Sequence, residues 1–233
     1  MMDDTFVKTQ HINQQFDADL AHLHQKALKL MYQVVGQWDL AIESLETANL
    51  DLAVTVLSQT SEVHECASAI DHLIVTILAR ESPVAKDLRM TLTISKIAGE
   101  LRYLSDEVSE IARLILVLYE PRSVITHAQL LSGILAVIEA IRHMLANLAT
   151  VLSGFDCKLA RWILASDAVS EKEIQSDIAQ LLTYINNDPR KIKPALIVLQ
   201  IIKSLESSSD YCKDLAGYCI LMIDGEDLRH SRP

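Results

Sequence analysis

Two acidic segments, about a hundred residues apart, resemble each other, and their carboxylates are the side chains best suited to chemistry in this sequence. The matched residues are Leu101 with Leu205, Ser105 with Ser209, Asp106 with Asp210, and Ala112 with Ala216. The second copy has Glu206 four residues before Asp210. Residues four apart on a helix lie one turn apart on the same face, so these two carboxylates are placed to bind one cation together.

Paired carboxylates offer oxygen ligands to hard or borderline cations, provided that a neighbouring helix completes the coordination. We therefore predict a site for iron, zinc, manganese or magnesium at Glu206 and Asp210. The alternative is a solvated acidic stripe that Asp214 extends and that Lys203 and Lys213 neutralise. Carboxylates four apart are common on helices, so the spacing by itself leaves both interpretations open.

The first copy differs at the position of the glutamate. Arg102 lies four residues before Asp106, which predicts an ion pair within the helix instead of a chelating pair. A further carboxylate, Asp71, is a weaker candidate ligand because Ala67 lies four residues before it. We expect the first half to have lost any metal site that its ancestor had.

Other motifs add little. Glu173 and Asp177 form another acidic pair that could face the second-half site, and His64 and His72 are interpreted as ordinary surface or core residues. The sequence has no Glu-x-x-His, which a ferritin-like di-iron bundle needs twice. It also lacks the glycine-rich phosphate loops, the Gly-x-Ser-x-Gly nucleophile motif and His-Glu-x-x-His. We therefore expect a protein that is not an enzyme.

The composition favours long helices. The chain has 233 residues, of which 50% are hydrophobic, with only six glycines and five prolines. Helix-forming residues fill most segments, so we predict an all-α fold with a substantial core. Four cysteines without CxxC spacing are predicted to be reduced, mostly buried thiols.

Charge and hydropathy restrict the partners and the location. A formal net charge of −10 argues against nucleic acid, since a nucleic-acid partner normally requires a basic face. The N-terminus lacks the basic and apolar regions of a signal peptide. No apolar run approaches the roughly 20 residues that span a bilayer. We therefore expect a cytoplasmic protein without membrane insertion.

Sparse helix-breaking residues indicate the topology. Breaks at Asn49 and at 81–83, 120–122, 154–156 and 186–189 predict six helices. Each helix has an apolar stripe at helical spacing, and short connections make neighbours antiparallel. The repeat then predicts two tandem antiparallel three-helix bundles related by internal duplication, 1–121 and 122–233, joined end to end or side by side. The polar tail that begins near Gly225 is expected to fray or to dock weakly.

Three segments resemble a known family. HINQQFDADL at 11–20, PVAKDLR at 83–89 and GEDLRH at 225–230 are similar to the PhoU family of bacterial phosphate-uptake regulators. The resemblance extends from end to end in the same order. Its most specific part is Asp87-Leu88-Arg89 followed by Ile94-Ser95-Lys96. PhoU proteins consist of two repeated three-helix bundles, so the resemblance implies the same architecture as the breaks and the periodicity.

The resemblance also implies which residues are candidate ligands. Each half of a PhoU protein has a Glu and an Asp four apart, and family members bind multinuclear metal clusters through these pairs. Residue by residue, only Glu206, Asp210 and Asp106 match, and Asp71 matches less well. Three serines separate the acids of the second pair, and Arg102 replaces the glutamate of the first. The resemblance therefore implies a divergent member with degenerate acidic motifs.

The function that the resemblance implies is regulation by contact, without catalysis. It implies an adaptor between the phosphate ABC transporter ATPase and the phosphate sensor histidine kinase, which restrains uptake and keeps the starvation response off when phosphate is plentiful. It further implies a homodimer. Asp87 and Arg89, beside a proline-containing turn, are the candidate partner-binding residues. The alternative is a metal-binding helical bundle that acts as a sensor or store.

Overall fold

The computed structural model describes residues 14–119, 131, 134–166, 171–185 and 189–228. Its helices are α1 Gln14–Thr47, α2 Leu50–Glu81, α3 Ala85–Leu118, α4 Ile134–Gly154, α5 Cys157–Ala165, α6 Glu171–Ile185 and α7 Ile192–Ile223. A short 3₁₀ helix, Pro189–Lys191, precedes α7. Within these ranges there is no β-strand, which confirms the all-α fold class.

The first turn of each half is built in the same way. Ala48, with φ of 56°, precedes Asn49, whose side chain accepts a hydrogen bond of 3.2 Å from the amide two residues on. Phe155, with φ of 53°, precedes Asp156, whose side chain accepts a 3.0 Å hydrogen bond from the backbone amide three residues later. Asn and Asp are favoured at this position because they satisfy an amide that lacks a helical partner. The two turns support the predicted duplication.

In the first half, α1, α2 and α3 pack against one another in an antiparallel bundle. The predicted apolar stripe of Ile70, Ile74 and Ile77 is buried in this bundle, as is Trp38 of α1. Removing apolar side chains from water is the main force that holds such helices together. The core of the first half therefore follows from helical periodicity.

The second half differs from the prediction of three helices. The segment expected to form one helix after Asp156 is divided into α5 and α6, so seven α-helices are present among the described residues where six were expected. At Ser166 the backbone is extended, and its hydroxyl donates a 2.8 Å hydrogen bond to the Ile163 carbonyl. A serine that bonds nearby backbone in this way competes with helix continuation. Each piece packs against α7.

The two halves lie side by side, chiefly through α3 and α7, the pair of helices in most extensive contact. These helices are antiparallel, since Lys96 lies over the Tyr218 ring and the Tyr103 ring stacks on Tyr211. Ser105 lies two residues after Tyr103, and Ser209 lies two residues before Tyr211. These two repeat-related serines therefore lie level with each other. This arrangement is close to a two-fold relation. The predicted boundary at 121–122 falls outside the described residues and stays a prediction.

A second contact joins α1 to α4. The Arg142 Nε donates to Asp39 Oδ1 at 3.0 Å, and the His24 Nε2 lies 2.8 Å from the Leu152 carbonyl oxygen. The His24 ring also stacks on Phe155 with centroids 4.7 Å apart. Side-by-side packing is thus supported at two places.

Helix α4 is the one helix, among the residues that the structure describes, that is long and apolar enough to cross a membrane by length and composition. The expectation that no apolar run approaches that length was therefore wrong for this segment. Half of its most apolar window is buried inside the molecule. Its buried residues include Ile134, Ile138 and Ile141.

Candidate functional site

The predicted ligands of the second half lie on α7 as the spacing requires. Glu206 and Asp210 are both exposed, one helical turn apart. The side chains of Glu173 and Asp177, which could face them, lie outside the described part of the structure. Among the described residues, no group of three or more His, Cys, Asp or Glu side chains is arranged to hold a metal. The metal predicted at Glu206 and Asp210 stays a prediction.

In the first half, Asp106 has a partner on another helix. The His64 Nε2 of α2 lies 2.8 Å from Asp106 Oδ1, and both side chains are about half exposed. The Arg102 guanidinium instead lies over the Tyr103 ring, 5.4 Å from its centroid. The predicted ion pair between Arg102 and Asp106 was therefore wrong. Sequence reasoning missed His64 because nothing local connects two residues on different helices.

The weaker candidate, Asp71, belongs to a separate place on the surface. Its Oδ1 accepts a 2.8 Å hydrogen bond from the Ser95 hydroxyl of α3. Between Ser95 and Asp106, α3 rises about 16 Å, because each helical residue contributes about 1.5 Å. The structure thus does not bring Asp71 and Asp106 together.

The predicted partner-binding residues lie near the start of α3. Asp87 is in the first turn, where a carboxylate interacts favourably with the helix dipole. Arg89 is half-buried, and its guanidinium packs against Gly225 of the C-terminal tail. Among the described residues, no hydrogen-bond partner lies near its buried Nε. For Arg89 the geometry favours a contact within the chain, and the partner-binding role of Asp87 stays a prediction.

The C-terminal tail is held where it leaves α7, so of the two expected outcomes, fraying or weak docking, residues 224–228 show docking. The Arg161 guanidinium of α5 donates to Asp224 and to Glu226, both at 2.9 Å. The Cys157 thiol donates to the same Asp224 oxygen at 2.8 Å. The hydrogen bonds from Cys157 and Arg161 lower the pKa of Asp224. Burial, followed by the bond to Asp224, raises the pKa of the Cys157 thiol to about 11, so this thiol is protonated at neutral pH.

An acidic side chain is partly buried between the halves. Glu107 of α3 lies beside Ser204 and Ser207 of α7, whose hydroxyls favour its charged form. Burial raises its pKa above the ordinary value, and the like charges of Glu110 and Asp106 raise it further, whereas the serine hydroxyls lower it. Because burial is the largest cause, the net pKa shift is upward.

A buried polar network lies behind this acidic surface. The Ser105 hydroxyl donates a 2.8 Å hydrogen bond to the Gln37 side-chain oxygen. The Ser109 hydroxyl donates a 2.7 Å hydrogen bond to the Ser105 carbonyl oxygen. Thr60 completes the network at 2.6 Å from Ser109. Buried polar groups require such partners, so the network fixes how α1, α2 and α3 pack.

Comparison with known sequences finds relatives that match most of the chain. A family model described as the PhoU domain matches residues 28–115. The chain is 30% identical over 226 residues to a phosphate-specific transport system accessory protein PhoU homolog of Pseudomonas putida, covering 95% of this chain and 86% of that one. It is 29% identical to the PhoU accessory protein of Escherichia coli K12, with 97% and 92% covered.

The fold is similar to that of a solved structure as well. The crystal structure of PhoU from Pseudomonas aeruginosa superposes with a TM-score of 0.83 at 28% identity, over 91% of this chain and 100% of that one. The similarity therefore covers both halves and their arrangement.

Proposed function

Because this chain belongs to the PhoU family, we propose that it is an accessory regulator of phosphate uptake that acts by contact and not by catalysis. In this proposal it is a cytoplasmic negative regulator. It connects the phosphate ABC transporter ATPase with the phosphate sensor histidine kinase, and it restrains uptake when phosphate is plentiful.

The observation that most supports this proposal is the match over nearly the whole length of the accessory proteins. The architecture also suits regulation by contact, because helices of 32 to 34 residues present long, continuous faces to partner helices. Several large apolar side chains remain exposed on these faces, among them Val54, Val75 and Leu196. Exposed apolar surface is typical of proteins that associate, and homodimerisation is part of the proposal.

The experiment that tests the proposal is deletion of the gene in its host, followed by alkaline phosphatase assays in phosphate-rich medium. We expect constitutive phosphatase that the wild-type gene silences. Unchanged phosphatase and unchanged phosphate uptake in the deletion strain would contradict the proposal. Sedimentation analysis of the purified chain tests the proposed homodimer. A monomer at all concentrations would contradict homodimerisation.

A further inference from the structure

The exposed side of the α3–α7 contact presents a pair of stacked tyrosines. The rings of Tyr103 and Tyr211 are 5.5 Å apart at their centroids, with 21° between their planes. Tyr103 is 44% exposed although it lies at the contact between the two halves. Tyrosine combines a large apolar body with little conformational entropy, which is why it is enriched at protein interfaces. We call Glu100, Tyr103, Glu107 and Tyr211 the tyrosine face.

Carboxylates of α3 act electrostatically on the Tyr211 side chain. The negative charges of Glu107, Glu100 and Asp106 all contribute to a raised pKa of Tyr211, after the larger effect of burial. These groups are therefore close enough to act on one ring. Further along α3, the Arg113 guanidinium pairs with Glu110 at 3.1 Å.

Cations already lie over tyrosine rings along this contact. The Arg102 Cζ is 5.4 Å from the Tyr103 centroid, and the Lys96 Nζ is 5.5 Å from that of Tyr218. The faces of aromatic rings attract cations, and neighbouring carboxylates increase the attraction. The surface thus has the chemistry that recognises arginine and lysine side chains.

We propose that the tyrosine face is a docking surface for an arginine- or lysine-rich segment of a partner protein. Complementary charge argues for this occupant, and the net charge of −10 on the whole chain adds to it. A second copy of the chain would bring carboxylates against carboxylates, and an anionic lipid surface would be repelled in the same way. The identity of the partner, as a component of phosphate transport or signalling, rests on the proposed function. The basic chemistry of the docking segment does not depend on that function.

The first test uses an oligoarginine peptide at low salt, with the full-length chain and two variants. We expect Tyr103→Ser to weaken peptide binding about tenfold, as for a central interface residue. The matched control is Tyr32→Ser, because Tyr32 of α1 is 57% exposed and lies in a groove between α1 and α2 beside Asp39, Glu43 and Glu62. This control should bind the peptide as the wild type does. Circular dichroism and thermal unfolding verify that both variants are folded.

The docking surface would be overturned by no binding of oligoarginine to the wild type, or by equal binding losses in Tyr103→Ser and Tyr32→Ser, which would indicate a general acidic attraction. Undiminished binding by Tyr103→Ser would count as strongly against it. The same three proteins are then tested against the host's transporter ATPase and the kinase cytoplasmic region. If the wild type binds neither, the proposed function fails. If the wild type binds one of these two proteins and Tyr103→Ser binds it equally well, only the proposed docking surface fails.

Discussion

At the scale of single residues, two serines in matching positions of the repeat have different surroundings. The Ser105 hydroxyl donates to Gln37, whereas the Ser209 hydroxyl, also buried, has no hydrogen-bond partner in the described structure. Buried polar groups are costly when they are left without a partner. The duplication has thus kept the residue type but not its bond.

This difference predicts that replacing each serine by alanine changes the free energy of unfolding differently at the two positions. Ser105→Ala leaves the Gln37 oxygen without its donor, so we expect a loss of about 1–3 kcal/mol in the free energy of unfolding. Ser209→Ala removes an unpaired hydroxyl and should be neutral or stabilising. Urea denaturation of both variants measures the difference. Equal losses would mean that the Gln37 bond contributes nothing specific.

A second residue-scale prediction concerns pH. The pKa of Glu107 is raised from 4.5, so the native state binds this proton more tightly than the unfolded chain does. Stability should therefore fall as pH rises from about 4.5 through the native pKa, and the cost of the buried charge remains at neutral pH. We expect Glu107→Gln to be more stable than the wild type at neutral pH, with the difference shrinking as pH falls through the native pKa and lost below about pH 4.5. Glu46→Gln, at an exposed position, is the control, and a pH-independent difference would refute the assignment.

The third residue-scale prediction concerns metal. If Glu206 and Asp210 bind a cation, replacing both by alanine should lower the bound iron, zinc or manganese measured by elemental analysis after growth in supplemented medium. Arg102→Glu should raise it, because this change restores an acidic pair with Asp106. Unchanged metal content in both variants would identify the acidic residues as a solvated stripe.

At the scale of elements, glycines have different roles in helices and at helix ends. Gly225 follows α7 with φ of 83°, and a β-carbon there would come within 2.9 Å of the Arg89 Cζ. Gly36 lies inside α1, and a β-carbon there would meet nothing within 4 Å. The first glycine is required by its left-handed backbone, and a β-carbon there would also displace the Arg89 guanidinium, whereas the second glycine only weakens its helix.

We therefore expect Gly225→Ala to destabilise the fold by about 1–3 kcal/mol, since it combines a strained backbone with a steric conflict. Gly36→Ala should stabilise by about 0.5–1 kcal/mol because alanine is the better helix former. Thermal unfolding of the two variants tests the pair. A stabilising Gly225→Ala would show that the tail leaves Arg89 readily.

At the scale of the whole molecule, the two halves are joined by α3 with α7, by α1 with α4, and by the C-terminal tail against Arg89. The tail is also bonded to α5 within the second half. The tail contact is polar and partly exposed. Exposed ion pairs add little to stability, so its role is to hold a segment in place.

Accordingly, we expect Arg161→Ala to change the unfolding temperature little but to speed amide hydrogen exchange in residues 225–228, because the bonds to Asp224 and Glu226 are lost. Arg113→Ala, which removes an exposed pair within α3, should leave exchange in the tail unchanged. Exchange measured by mass spectrometry separates the two variants. Unchanged exchange in Arg161→Ala would mean that packing alone holds the tail.

Much of the architecture could be predicted because its signals are local. Apolar residues at helical spacing become the buried stripes, as at Ile70, Ile74 and Ile77, and the breaks at Asn49 and at 154–156 become turns. The division of α5 from α6 was missed, since a single serine is a weak breaking signal and the outcome depends on how each piece packs against α7.

The sequence by itself determined the all-α class, the repeat and the one-turn spacing of Glu206 and Asp210, because helical geometry relates residues close in the chain. Only the tertiary structure decided that Asp106 meets His64, that Tyr103 stacks on Tyr211 and that Arg89 lies under the tail. These contacts join residues distant in sequence. They depend on which helices are neighbours and at what register, and the packing of the whole core sets both.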